Sequence, residues 1–181
     1  MKGTTTHYGG RRFRSKTEAR WAHVMDALGI AFEYEPECVH LTHPSTGRLL
    51  RYLPDFRLPG LGCWFEIKNR GTAPPTPEES LRARLLAEQT GMPCFVFFGD
   101  PIGTKNFGRG NAYRYDVEGQ MTPCWQFTEC PVCKTIGLTV GGRIGGLDCE
   151  CAVHDFDNRG SERIVGAVRA AMATRFHCEG W

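Results

Sequence analysis

Apolar and polar positions alternate on both sides of Pro59-Gly60-Leu61-Gly62, which predicts a hairpin over Leu53–Lys68. If its turn is centred between Gly60 and Leu61, Asp55 stands opposite Glu66. Side chains two apart on a strand share a face. One face then carries Leu53, Asp55, Arg57, Trp64, Glu66 and Lys68, and the other carries Pro54, Phe56, Leu58, Cys63, Phe65 and Ile67. The second is a core face; the first holds two carboxylates and an amine.

Helical periodicity appears three times. Ser15 opens a helix with Glu18 three residues on, a capping-box pattern, and the stripe Trp21, Ala22, Met25 and Leu28 runs to a stop at Gly29. Thr76, Pro77 and Glu79 start a second helix over Leu81, Leu85 and Leu86, ended by Gly91 and Pro93. Ser161 caps a third, with Ile164, Val165, Val168, Ala171, Met172 and Phe176 as its stripe, expected to pack on the sheet or the cysteine-rich tail. Strands are expected over 31–41, broken at Glu35-Pro36-Glu37, and over 49–58, 63–69, 94–98 and 113–117, with a turn at His43–Gly47. Cys94–Phe98 is apolar throughout, as a strand buried on both faces should be. The order strand, helix, strand across 63–98 suggests a βαβ crossover and a mixed sheet. Residues 1–14 read as a flexible basic arm, 99–110 as a glycine-rich loop with Lys105 and Arg109. The expected division is 1–120 and 121–181.

The chain has 181 residues, 41% hydrophobic, enough for a real core, and a net charge of +2 that by itself says nothing about nucleic acid. The distribution says more: Arg11, Arg12, Arg14, Lys16 and Arg20 fall between positions 11 and 20. Each of the first four can neutralise a phosphate, and a solvated terminus accounts for them equally well. Met1 to Gly10 is polar and no 18-residue apolar run exists, so neither a secretory signal nor a membrane span is expected. Nine cysteines without an export signal argue for reduced thiols in the cytoplasm.

The polar face of the hairpin has two accounts. Like charges directly opposed across strands are destabilising, unless a cation lies between them; Mg²⁺ takes one or two carboxylates with water and phosphate. Lys68 points the same way and can orient or deprotonate a water, or offset developing charge. The other account is a cross-strand salt network of Asp55, Arg57, Glu66 and Lys68. Glu18 is open in the same way, closing a cap onto the Ser15 amide or aiming a carboxylate at the sheet. The cysteines form a second constellation: Cys130-Pro131-Val132-Cys133, then Cys149-Glu150-Cys151, which is zinc-ribbon spacing with a short second pair. His154 is an alternative to Cys149 or Cys151, Cys124 is a spare, and Trp125 and Phe127 are expected as core for the ribbon.

In order, a helix with Glu18, then Pro54-Asp55, then Glu66-Ile67-Lys68, a helix and a buried strand resemble the PD-(D/E)XK nuclease superfamily. Phe13-Arg14-Ser15-Lys16-Thr17-Glu18-Ala19-Arg20 and Tyr34-Glu35-Pro36-Glu37 are similar to the lead-in of its small phage-type and transposase-endonuclease-like branches. The resemblance covers roughly residues 8–100. It implies an α/β, restriction-endonuclease-like core with a mixed central sheet flanked by helices, here followed by a zinc-ribbon-like module and a terminal helix. It implies that Asp55, Glu66 and the Ile67 carbonyl ligate Mg²⁺ or Mn²⁺, that Lys68 serves the attacking water and the transition state, and that Glu18 helps hold the metal. The implied reaction is metal-assisted hydrolysis of DNA by an endonuclease; no Gln-x-x-x-Tyr follows Lys68, against a processive exonuclease. Double-strand cleavage needs two sites, which suggests a homodimer or a protein partner. A binding module without catalysis, recognising DNA or protein, is the competing expectation.

Overall fold

The computed structural model describes residues 5–70, 74–101, 112–141, 147–151 and 160–178. Its centre is a six-stranded mixed sheet. Strands β6 (Phe56–Leu58) and β7 (Cys63–Lys68) form an antiparallel pair in the expected register, Phe56 opposite Phe65 and Leu58 opposite Cys63. A turn of 3-10 helix at Pro59–Leu61 joins them, and Gly62 (φ 57°) takes the left-handed conformation that closes it. Helix α2 (Pro77–Thr90) then carries the chain over to β8 (Cys94–Phe98), which lies parallel to β7. Beyond β8 come β9 (Ala112–Tyr115) and β10 (Met121–Pro123), both antiparallel, while β3 (Glu33–Tyr34) borders β6 at the other edge.

Both faces of this sheet are covered. Helix α1 (Lys16–Leu28) packs Trp21, Ala22, Met25 and Leu28 on one face, against Phe56, Leu58, Phe65, Ile67 and Phe97. On the other, α2 packs Leu85 and Leu86 against Trp64, Val96 and Phe98, and the hairpin of β4 (Val39–Thr42) and β5 (Leu49–Tyr52) adds Leu41. The face that carries Asp55 and Glu66 is therefore interior, not the exposed face that a salt network at the surface would occupy. Trp64 reaches from it to donate its indole N–H to Thr90 Oγ1 at 2.8 Å.

The helix ends follow the sequence closely. Thr76 and Glu79 form a complete capping box, and Gly29 and Gly91 take positive φ at the C-caps of α1 and α2. Ser15 caps α1 by accepting from the Glu18 amide, but the Glu18 carboxylate does not return to the Ser15 amide. It accepts from the Arg14 amide at 3.1 Å and from the Ser15 hydroxyl at 2.8 Å.

Three expectations are corrected. The described part of the basic arm is a hairpin of β1 (Thr6–Tyr8) and β2 (Arg11–Phe13), because Gly9 and Gly10 both take positive φ at its two-residue turn and Phe13 is buried in the core. Residues 49–58 are two strands. Pro54, with no N–H to give a ladder, separates β5, which pairs with β4, from β6, which pairs with β7 and β3. Phe127 on β11 (Trp125–Glu129) is not core for a separate ribbon: it packs against Trp21, Phe65 and Phe97 in the main core, while Trp125 meets Phe95 edge-on at 5.1 Å.

The C-terminal part thus shares the core of the first. β9 pairs with β10 across Gln120, β11 forms a hairpin with β12 (Ile136–Val140), and α3 (Glu162–Ala173) packs on α1. Arg163 of α3 donates to the Leu28 carbonyl at the end of α1 and pairs with Glu129. After α3, β13 (His177–Cys178) joins the edge of β1. No described helix is long and apolar enough to cross a membrane. If the two parts share one core, Phe127→Ala should destabilise the whole chain by about 3–5 kcal/mol. Denaturant unfolding followed by tryptophan fluorescence should then show one shifted transition; two transitions, with only the tail affected, would contradict it.

Candidate functional site

Asp55 lies one residue before β6 and Glu66 in the middle of β7. Both are interior, 6% and 2% exposed, which is rare for carboxylates without compensation. Each is held by the backbone of the other's strand. The Asp55 amide donates to Glu66 Oε1 at 3.0 Å, and the Ile67 amide donates to Asp55 Oδ2 at 2.8 Å. The remaining oxygens face cations. Lys68 Nζ donates to Glu66 Oε2 at 2.9 Å, and Arg14 donates to Asp55 Oδ1 at 2.7 Å.

Glu18 joins the group through Arg14. Its Oε2 accepts from the Arg14 amide and from the Tyr34 hydroxyl at 2.6 Å, while the Arg14 guanidinium forms ion pairs with Asp55 and Glu35. Glu35 has φ 45°, unusual for a residue with a Cβ, and donates its amide to the Asp55 carbonyl at 2.9 Å. On the α2 side of the sheet, which Glu66 shares with Trp64, Tyr52 stands near Glu66; burial, and then the Glu66 charge, hold its hydroxyl well above the usual range.

Electrostatically this is a crowded anionic site. Burial, then the Glu66 charge, push the Asp55 carboxyl well above the usual carboxylate range, and Lys68 and the Ile67 amide pull only partly back. Burial works against the Lys68 ammonium too, but Glu66 and Asp55 outweigh it and its pKa is raised. Both acidic neighbours thus favour the charged form of Lys68. Each carboxylate has one oxygen bonded to a backbone amide and the other to a cationic side chain.

The sequence brought Glu18, Asp55, Glu66 and Lys68 forward, and the fold gathers them. It gave no place in this group to Tyr34, Glu35 and Tyr52, or to Arg14 as a partner of Asp55. Tyr34 and Glu35 lie in the broken strand beside Pro36, where a pause between two strand segments was the available signal. Arg11 lies over the Phe32 ring at 4.7 Å, Arg12 donates to Thr5 at 3.5 Å, and Lys16 is exposed in the first turn of α1. Lys105, Arg109 and His154 lie outside the described residues.

The second site is the cysteine cluster. Sγ atoms of Cys130, Cys133, Cys149 and Cys151 all lie within 4.8 Å of one another. Tetrahedral zinc with Zn–S bonds near 2.3 Å spaces its sulfurs by roughly 3.8 Å, so the donor set fits. The Cys130–Cys133 loop caps the β11–β12 hairpin, closed by the Lys134 amide on the Cys130 carbonyl at 3.0 Å and the Cys130 amide on the Thr135 carbonyl at 2.8 Å. Lys134 takes φ 64° to make that turn. The Thr135 hydroxyl, 3.1 Å from Cys133 Sγ, lowers that thiol to about 6, while Cys133 in turn pushes Cys151 up to about 12. Four thiols this close can be taken up together as thiolates by one cation. Cys124 is exposed and stands apart from them.

No family model, no curated protein and no solved structure matches this chain.

Two outcomes follow from the geometry. Cys130→Ser or Cys149→Ser should remove one bound zinc per chain by elemental analysis and lower Tm, by roughly 2–4 °C for each kcal/mol lost. At the other site, a carboxyl with a raised folded pKa costs stability once it is ionised, so Asp55 should make the metal-free protein less stable as pH rises above about 4. Asp55→Asn should therefore stabilise the metal-free protein at pH 7 and do little at pH 4, read by urea unfolding at both.

Proposed function

We propose that this protein is a metal-dependent DNA nuclease of the PD-(D/E)XK kind, acting as an endonuclease through Mg²⁺ or Mn²⁺. The observation that carries this is the Asp55–Glu66 pair: two carboxylates, interior, interlocked by backbone amides, each with one oxygen turned to a cation. The order of elements supports a restriction-endonuclease-like core: α1 on one face, the antiparallel β6–β7 pair, and α2 crossing to parallel β8 on the other.

Asp55, Glu66 and the Ile67 carbonyl would hold the ion, with Glu18 supporting from the first turn of α1. Once bound, the ion polarises a phosphoryl oxygen and lowers the pKa of a coordinated water. Lys68, kept charged by its two acidic neighbours, would orient the attacking water and offset charge on the phosphorane-like transition state. Tyr34 and the Arg14 amide fix the Glu18 carboxylate.

DNA as substrate is supported by two basic stretches beside the site. Arg11, Arg12 and Lys16 are exposed before and at the start of α1. The β4–β5 hairpin, which leads directly into Pro54-Asp55, exposes Arg48 and Arg51, and no acidic residue occurs between Glu37 and Asp55. We assign Zn²⁺ to the four cysteines as a structural ion, since they close a hairpin whose inner side already belongs to the main core.

A second reading has its own observation. Arg14 and Lys68 already pair with both carboxylates, a charge-balanced arrangement that a non-catalytic module binding DNA or protein would also tolerate. Cleavage of circular and linear DNA with Mg²⁺ or Mn²⁺ separates the two. Asp55→Ala and Glu66→Ala should each lower the cleavage rate by roughly 10³-fold or more with the circular dichroism spectrum retained. Undiminished cleavage by both variants, or binding by the wild type without turnover, would favour the second reading.

A further inference from the structure

We infer that Arg14 is an exchangeable cation of this site: it holds Asp55 in the metal-free protein, competes with the divalent ion for it, and on release binds a phosphate of the substrate. This rests on the nuclease reading above. Lys68 and Arg14 divide the two carboxylates between them, yet they are placed differently. The Lys68 side chain is 22% exposed and belongs to the same strand as Glu66, so it stays in the site whatever else binds. The Arg14 side chain is 54% exposed and reaches the buried Asp55 from outside.

The backbone of Arg14 is anchored independently of its guanidinium. Its amide donates to Glu18 Oε2 at 3.1 Å and to the Tyr34 hydroxyl at 3.0 Å. The side chain can therefore leave Asp55 while the residue keeps its place. Its second ion pair, with Glu35, whose side chain is 24% exposed, offers a resting position beside the site. Asp55 Oδ2 is committed to the Ile67 amide, so Oδ1, the atom that Arg14 occupies, is the oxygen with most freedom to meet a metal ion. Cation and metal are thus set against one another on one atom.

Release changes what the guanidinium can do. A planar fork of donors matches the oxygens of a phosphodiester in two-point fashion, and Arg stays charged under all working conditions. Held at its backbone beside Glu18 and a short reach from Asp55, the freed group sits where a scissile or adjacent phosphate must arrive. Arg14 in this account differs from Arg11, Arg12 and Lys16, which make no ion pair with the acidic site among the described residues.

The test is Mn²⁺ binding by calorimetry, without DNA, to zinc-loaded wild type, Arg14→Ala and Arg14→Lys, with Asp55→Ala to identify the site. Arg14→Ala should bind Mn²⁺ roughly tenfold more tightly than wild type, the loss of one charge-assisted hydrogen bond from the competing state. Arg14→Lys should fall between them, and KM for DNA should rise in Arg14→Ala. A role confined to holding the fold together moves Mn²⁺ affinity the other way, so unchanged or weaker Mn²⁺ binding in Arg14→Ala overturns the inference. If that result came with Asp55-dependent cleavage by the wild type, the nuclease reading would stand without it. Wild type that binds no Mn²⁺ at Asp55 would overturn both.

Discussion

Two backbone amides hold the site together. The Asp55 amide reaches Glu66 and the Ile67 amide reaches Asp55, so each carboxylate is pinned by the main chain of the opposite strand. Neither bond survives a slip of the β6–β7 register, because a shift of one residue moves every side chain to the other face. What sets that register is apolar: Phe56 and Leu58 against Phe65 and Cys63, packed under α1. The aromatic core thereby fixes the position of two charges. The cost of burying those charges is met locally, by amides, Arg14 and Lys68, and the remaining imbalance appears as the raised Asp55 pKa.

Because β7 is central and buried on both faces, the site lies at a seam between two cores. Trp64 and Glu66 share a face, and Trp64 packs among α2, Leu41 and Val96, so the carboxylate side is roofed over most of its length. At the end of β7 the Lys68 side chain is 22% exposed, whereas Trp64 and Glu66 are buried. Beyond that point Arg70 N bonds the Lys68 carbonyl, as does Gly99 N. The strand ends β7 and β8 are thus tied together beside the amine. The first turn of α1 carries Glu18 and Lys16.

The sequence made the hairpin register legible because a four-residue Pro-Gly-x-Gly turn leaves little freedom and the alternation on both sides is strict. Helix limits were equally legible, since Ser15, Thr76, Gly29 and Gly91 each do one thing well at a helix end. What escaped was long-range. Nothing local says that Trp64, on a face read as polar, meets a helix twenty residues later, or that Phe127 crosses to Trp21 and Phe65. The basic arm looked unstructured because Arg11, Arg12 and Arg14 dominate it, while its one core residue, Phe13, carries no periodic signal over so short a span. The charge of Arg14 is plain in the sequence; its contact with Asp55, forty-one positions away, is not.

The same distinction bears on how the cysteine cluster relates to the carboxylates. Its cysteines close the far end of the β11–β12 hairpin, while Phe127 at the middle of β11 packs on Phe65, next to Glu66 in β7, and on Phe97 of the adjoining β8. Arg163 ties the hairpin to the end of α1 by bonding Leu28 and Glu129 together, and α1 carries Glu18 at its other end. An ion at the cysteines would therefore hold in place both elements that frame the acidic site, through packing and one arginine, without contributing a ligand to it. A soft thiolate site and a hard carboxylate site select different metals, so one chain can use an ion for shape and leave the other position to a harder cation.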